Sequence, residues 1–78
     1  MLKRYIQIAY ELKPTLTQRQ IAGRVDDMFA GQKKLVPLPL SWKHFGCTTL
    51  VEAFDNKTTQ GRVKKYISDV TRVTKDSA

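Results

Sequence analysis

Cysteine, histidine and tryptophan each occur once in these 78 residues, and each scarcity excludes something. A lone Cys47 rules out an intrachain disulfide framework and suits a reducing compartment. Cys47 and His44 stand three residues apart, and one such pair cannot supply the four ligands of a structural zinc site. As a nucleophile and base they would lack an orienting carboxylate, in a chain too short to build a buried cleft easily. Cys47 reads as a small apolar filler, and His44 as a surface or boundary side chain. Glycine-rich phosphate loops, internal repeats and low-complexity stretches are also missing. No apolar run approaches the roughly 20 residues that span a membrane. The start, MLKRYIQIAYELK, has charges on both sides of a short apolar stretch and no small-residue cleavage site, unlike a signal peptide. Asp26–Asp27 reads as a solvated helix face, not a metal site. The expectation is a small soluble domain, cytoplasmic or nuclear, that is not an enzyme and needs no cofactor or metal.

Acid is the other shortage. Fourteen basic side chains face seven acidic ones, for a net charge of +7. The excess sits at the two ends. Residues 1–25 hold Lys3, Arg4, Lys13, Arg19 and Arg24 against Glu11 alone. Residues 26–60 are balanced. Residues 61–78 hold Arg62, Lys64, Lys65, Arg72 and Lys75 against Asp69 and Asp76. If the first and last helices lie side by side, their charges make one basic face of the kind that binds nucleic acid. An acidic protein partner, or plain solubility, is the other account of it.

A hydrophobic content of 41% is enough for one globular domain and argues against disorder. The core must be thin, because so short a chain buries only about 60–65% of its unfolded surface. Leu2, Ile6, Ala9 and Leu12, with Tyr5, recur at helical spacing over residues 2–12, and Pro14 closes that helix. Thr17 and Gln20 form a capping box that opens a helix at about 18–30, with Ile21, Val25, Met28 and Phe29 on one buried face. TQRQIAGRV looks like the first helix of a bacterial helix-turn-helix. The tight turn that should follow Val25 is missing, because residues 26–30 continue the helix. Gly31 is the expected stop.

In GQKKLVPLPL two prolines exclude a helix or a central strand, so an extended connector is expected, with Leu35, Val36, Leu38 and Leu40 as its apolar side chains. The chain is organised around the next stretch, SWKHFGCTTLVEAF. Ser41 is a good N-cap for a turn through residues 42–45, and Gly46 can take the positive φ that ends it. Thr49 with Glu52 is a second capping box. Phe45, Leu50, Val51 and Phe54 are the expected apolar anchors. Asp55–Lys57 then reads as a helix exit. Thr58 or Thr59 caps a last helix over 60–72, with Val63, Ile67 and Val70 inward and Tyr66 and Val73 beside them. Arg62, Lys65, Asp69 and Arg72 form its outward stripe, and residues 74–78 read as a frayed polar tail.

Residues 16–54 resemble the OST-HTH/LOTUS family of small helix-turn-helix or winged-helix domains from RNA-regulatory proteins. The resemblance runs through the apolar stripe Ile21 to Phe29, Val36–Pro37–Leu38, Phe45–Gly46 and Thr48–Thr49–Leu50. It implies RNA binding, or docking onto a helicase-type protein. The chain departs from the family after Phe54, where DNKTTQGRVKKYISDV reads as turn and helix in place of a β-hairpin wing.

These readings converge on a mainly α single domain (residues 1–73) of four to five helices with a helix-turn-helix-like centre and no clear wing. The leading expectation is binding of RNA or DNA, mainly through phosphate contacts. Arg62, Lys64, Lys65 and Arg72 are its first cluster, and Lys3, Arg4, Arg19 and Arg24 its second. The alternative is a protein-interaction module using the Leu35–Trp42 segment. It requires Leu35, Leu38 and Trp42 to form one exposed patch. A thin core rarely leaves out its only tryptophan, which favours an inward Trp42.

Overall fold

Helices take up well over half of the chain, in the order α1 (Leu2–Leu12), α2 (Gln18–Gly31), α3 (Leu40–Lys43), α4 (Leu50–Asp55) and α5 (Gln60–Ser77). The structure, a computed structural model, describes residues 2–77, with side chains as far as residue 72. No strand occurs among the described residues, in line with the mainly α reading. The side chains of Val73 and of the expected polar tail lie outside those described.

The two long N-terminal helices form for local reasons. In α1, Leu2, Ile6 and Ala9 make the buried stripe. Leu12, which the periodicity also placed inward, ends the helix exposed. In α2, Thr17 Oγ1 accepts from the Gln20 amide at 3.2 Å, and Gln20 Oε1 accepts from the Thr17 amide at 2.9 Å. The helix then runs unbroken past Val25 and buries Ile21, Ala22, Val25 and Phe29. It stops at Gly31, as expected, but Gly31 does not make the turn. The left-handed turn falls on Lys33 (φ 56°). There the Lys33 and Lys34 amides donate to the Ala30 and Phe29 carbonyls, a Schellman ending on a side chain that bears its conformational cost.

The extended connector alternates as a pleated backbone must. Val36 and Leu38 are buried, while Leu35, Pro37 and Leu40 are exposed. The short turn begins earlier than expected. Pro39 precedes α3 without any side-chain cap, so Ser41 lies inside the helix and caps nothing. Pro39 brings its own fixed φ, which suits it to a helix start. Gly46 takes φ 79° as expected. Phe45 does not join the core, whereas Trp42 does, with its ring edge-on to Tyr66 at 5.6 Å between centroids.

Six residues are too few for a helix to persist alone, so α4 depends on what satisfies its first amides. Thr49 Oγ1 accepts from the Glu52 amide at 3.1 Å. Glu52 does not complete the box on Thr49. Its carboxylate turns to the Thr48 amide and hydroxyl, at 3.2 and 3.0 Å. The remaining two amides, of Leu50 and Val51, donate to Asp26 of α2 at 2.8 Å each. The exit uses Asn56, whose Oδ1 accepts from the Thr58 amide. Thr59 precedes α5, but its buried hydroxyl points back and donates to the Ala53 carbonyl at 2.6 Å. Thr59→Val keeps the volume and strands that carbonyl. A loss of about 1–2 kcal/mol in a urea unfolding curve is expected, and an unchanged midpoint would mean that the hydroxyl holds nothing.

The four longer helices close a ring, with α1 on α2, α2 on α4, α4 on α5 and α5 back on α1, while α2 and α5 also touch across it. Ile6, Ile21, Val25, Phe29, Leu50, Val63 and Ile67 fill the middle. A radius of gyration of 11.7 Å is close to the ~11.5 Å of a compact chain of this length. No helix among the described residues is long and apolar enough to cross a membrane.

Candidate nucleic-acid interface

The packing of α1 on α5 brings the two basic ends of the chain together. Each helix buries an apolar stripe, Leu2–Ile6–Ala9 in α1 and Val63–Ile67–Val70 in α5. Lys3, Arg4, Arg62, Lys64, Lys65 and Arg72 are all exposed. On α1, Tyr5 marks the flank turned to α2, since its ring lies 4.3 Å from that of Phe29. Lys3, two residues away and about 200° around the axis, lies off that flank and is exposed.

The eight basic positions are not equivalent. Arg19 makes a two-point pair with Asp55, both contacts at 3.0 Å, which turns it toward the end of α4. Arg24 lies five positions on, about 140° around the helix, so these two arginines do not act as one cluster. Lys64 extends over the Phe54 ring at 5.7 Å from its centroid, on the α4 side of α5. Arg72 pairs with Asp69 at 2.7 Å. Lys3, Arg4, Arg24, Arg62 and Lys65 make no ion pair among the described residues. Both pairs that do form are half-exposed or more. Such pairs are worth about 0–1 kcal/mol, little enough for a phosphate to displace the carboxylate.

Where the acids go decides the field. Asp26 serves the N-terminus of α4, Glu52 holds Thr48, and Asp55 holds Arg19. Each is committed to α4 or to Arg19, and the acids that belong to α1 and α5 are Glu11, Asp69 and Asp76, against seven basic residues.

Asp26 is the residue that sequence reasoning misplaced, as part of a solvated helix face. Nothing local could reveal a partner 24 residues away, although a carboxylate at a helix N-terminus is a recurrent pairing. Burial raises its carboxyl above the ordinary 3.8. The amides of Val51 and Leu50 pull it down, and the charges of Asp27 and Glu52 push it up again. The net rise means that on acidification the folded chain takes up this proton before the unfolded chain does. Its contribution to stability is therefore full below pH 3.8 and is lost as pH rises through the folded value. Asp26→Asn, which does not titrate, is expected to remove that slope from a plot of unfolding midpoint against pH. Asp26→Ala should cost about 1–2 kcal/mol at neutral pH by leaving two amides without partners. Equal pH profiles for the parent and Asp26→Asn would contradict the assignment.

His44 is exposed, while Cys47 is buried, with Asn56 Nδ2 donating to its Sγ at 3.8 Å. No group of three or more potential metal ligands occurs among the described residues. Of the three residues of the alternative patch, Leu38 and Trp42 are core residues and only Leu35 is exposed. The patch as expected therefore does not exist: backbone alternation turns Leu38 inward, and Tyr66 takes Trp42. Comparison with known proteins returns nothing, since no family model matches the chain and no curated protein or solved structure is significantly similar to it.

Proposed function

We propose that the chain binds nucleic acid through the paired outer faces of α1 and α5. The observation that carries this reading is the distribution of acid. Three carboxylates are drawn into capping or pairing around α4, and the positive charge of α1 and α5 is left largely uncompensated. Lys3, Arg4, Arg62 and Lys65 make the principal phosphate contacts, with Arg72 added once it leaves Asp69. Arg24 is peripheral, and Arg19 and Lys64 serve α4 first. Lysine and arginine on a convex helical face neutralise backbone phosphates and read few base edges, so affinity exceeds sequence selectivity. The role is binding and not catalysis, in the cytoplasm or nucleus. The resemblance of residues 16–54 to the OST-HTH/LOTUS family makes RNA the first nucleic acid to try. A pull-down from cell extract with and without nuclease tests the class. Recovery of nuclease-sensitive RNA or DNA is expected, and a set of partners indifferent to nuclease would overturn the reading.

A further inference from the structure

The segment between α2 and α4 leaves three large apolar side chains in solvent, Leu35 (87% exposed), Leu40 (71%) and Phe45 (45%). Leu12, the fourth such residue, stands on α1, away from this segment in the sequence. The extended backbone cannot tuck Leu35 inward, because Val36 and Leu38 already hold the inward places of the alternation. Beside Leu35 opens a hollow of about 270 Å³, lined by Leu35, Val36, Lys43, Gly46, Cys47 and Thr48. Gly46 presents bare backbone there, and its positive φ disfavours any larger residue. Pockets for drug-sized ligands run to roughly 300–1,000 Å³. This one is smaller, a size that suits one or two apolar side chains from another molecule.

Charge indicates which molecule. No aspartate or glutamate occurs between Asp27 and Glu52. Lys33 and Lys34 precede Leu35 and are exposed, and Lys43 is exposed and lines the hollow itself. Glu52 is the acid that reaches the lining, and its two oxygens are already held by the amide and hydroxyl of Thr48. The hollow thus has mainly apolar walls, with Lys43 in its lining and Lys33 and Lys34 beside Leu35 in the sequence, against one carboxylate, Glu52, whose oxygens are occupied. We infer that this face docks an acidic segment of a partner protein. That segment inserts an apolar side chain beside Leu35 and places aspartate or glutamate against Lys43 and the Lys33–Lys34 pair. Nucleobases favour flat rings or guanidinium planes to stack on, whereas the branched aliphatic side chains that line the hollow are Leu35 and Val36, and the ring of Phe45 is not part of the lining.

The site shares no residue with the α1–α5 face, so the two readings fail separately. The test is to pan a random peptide library on the full chain and titrate the enriched peptides after labelling. The expected winners carry an apolar anchor flanked by aspartate or glutamate, and lose binding when those acids become lysine. Leu35→Ser and Lys43→Glu alter exposed side chains and should each weaken the winners about tenfold or more, with the unfolding midpoint unchanged. Amide shifts of Gly46, Cys47 and Thr48 on adding a winner give a readout that needs no substitution, and they should move. Enriched peptides without acid, affinities unchanged in both variants, or unmoved shifts at 46–48 would each overturn the inference. So would the finding that Leu35→Ser and Lys43→Glu weaken oligonucleotide binding while leaving the peptides unaffected.

Discussion

Trp42→Ala is expected to destabilise the fold by about 3–5 kcal/mol, the usual cost of emptying a large aromatic site in a core. A domain of this size has a total stability on the order of 4–12 kcal/mol, so the variant should sit close to its unfolding transition at 37 °C. The reason is specific to this chain. Trp42 is the one buried side chain of α3, and its edge contact with Tyr66 fixes the α2–α4 connection to α5. Trp42→Phe keeps a ring at the site and should recover a good part of the loss. Urea unfolding measures both. The parent's emission should be blue and poorly quenched by iodide from the start. A red-shifted, readily quenched parent, with Trp42→Ala unfolding at the parental midpoint, would place the ring on the surface.

The second large effect concerns binding. Arg62, Lys65 and Arg72 are exposed on α5, so replacing all three with glutamate reverses the stripe without entering the core. Arg72 gives up only its exposed contact with Asp69, worth well under 1 kcal/mol. The circular dichroism spectrum and unfolding midpoint should stay near those of the parent, while affinity for short oligonucleotides falls by at least about a hundredfold. Arg19→Glu is the contrasting variant. It breaks a pair with Asp55 on the α4 side and should change affinity far less. A folded triple variant that binds as the parent does would remove the α5 face from the account.

How much of this could be read from the residues depended on the range of the interaction. The bounds of α1 and α2 were legible because Pro14, Thr17 and Gln20 act on their own neighbours. Gly46 was legible for the same reason, since its backbone freedom is needed where it stands. Legibility failed wherever the deciding partner was distant or several residues competed. Gly31 does end α2, but the left-handed turn that follows falls on Lys33, where the closing hydrogen bonds to Phe29 and Ala30 require it. Ser41 lost the cap to Pro39, whose fixed φ starts the turn earlier. Glu52 had two equivalent targets and took Thr48. Asp26 and Thr59 act across elements, on the α4 amides and on the Ala53 carbonyl, and no local pattern announces either. For the candidate interface, the charge of each side chain was plain from the start. That Arg19 and Lys64 are drawn toward α4 was not, because Asp55 and Phe54 reach them only in the folded chain.

The most direct measurement of the central claim is a salt titration of oligonucleotide binding by the parent and by the Arg62, Lys65, Arg72 triple glutamate variant. Each phosphate contact releases condensed counterions, so the logarithm of the parent's association constant should fall steeply and linearly with the logarithm of salt concentration. Each lost contact should flatten that slope by about one unit, which makes the variant's slope shallower by about three. Parallel lines for the two proteins, or a parent whose affinity is indifferent to salt, would contradict the account.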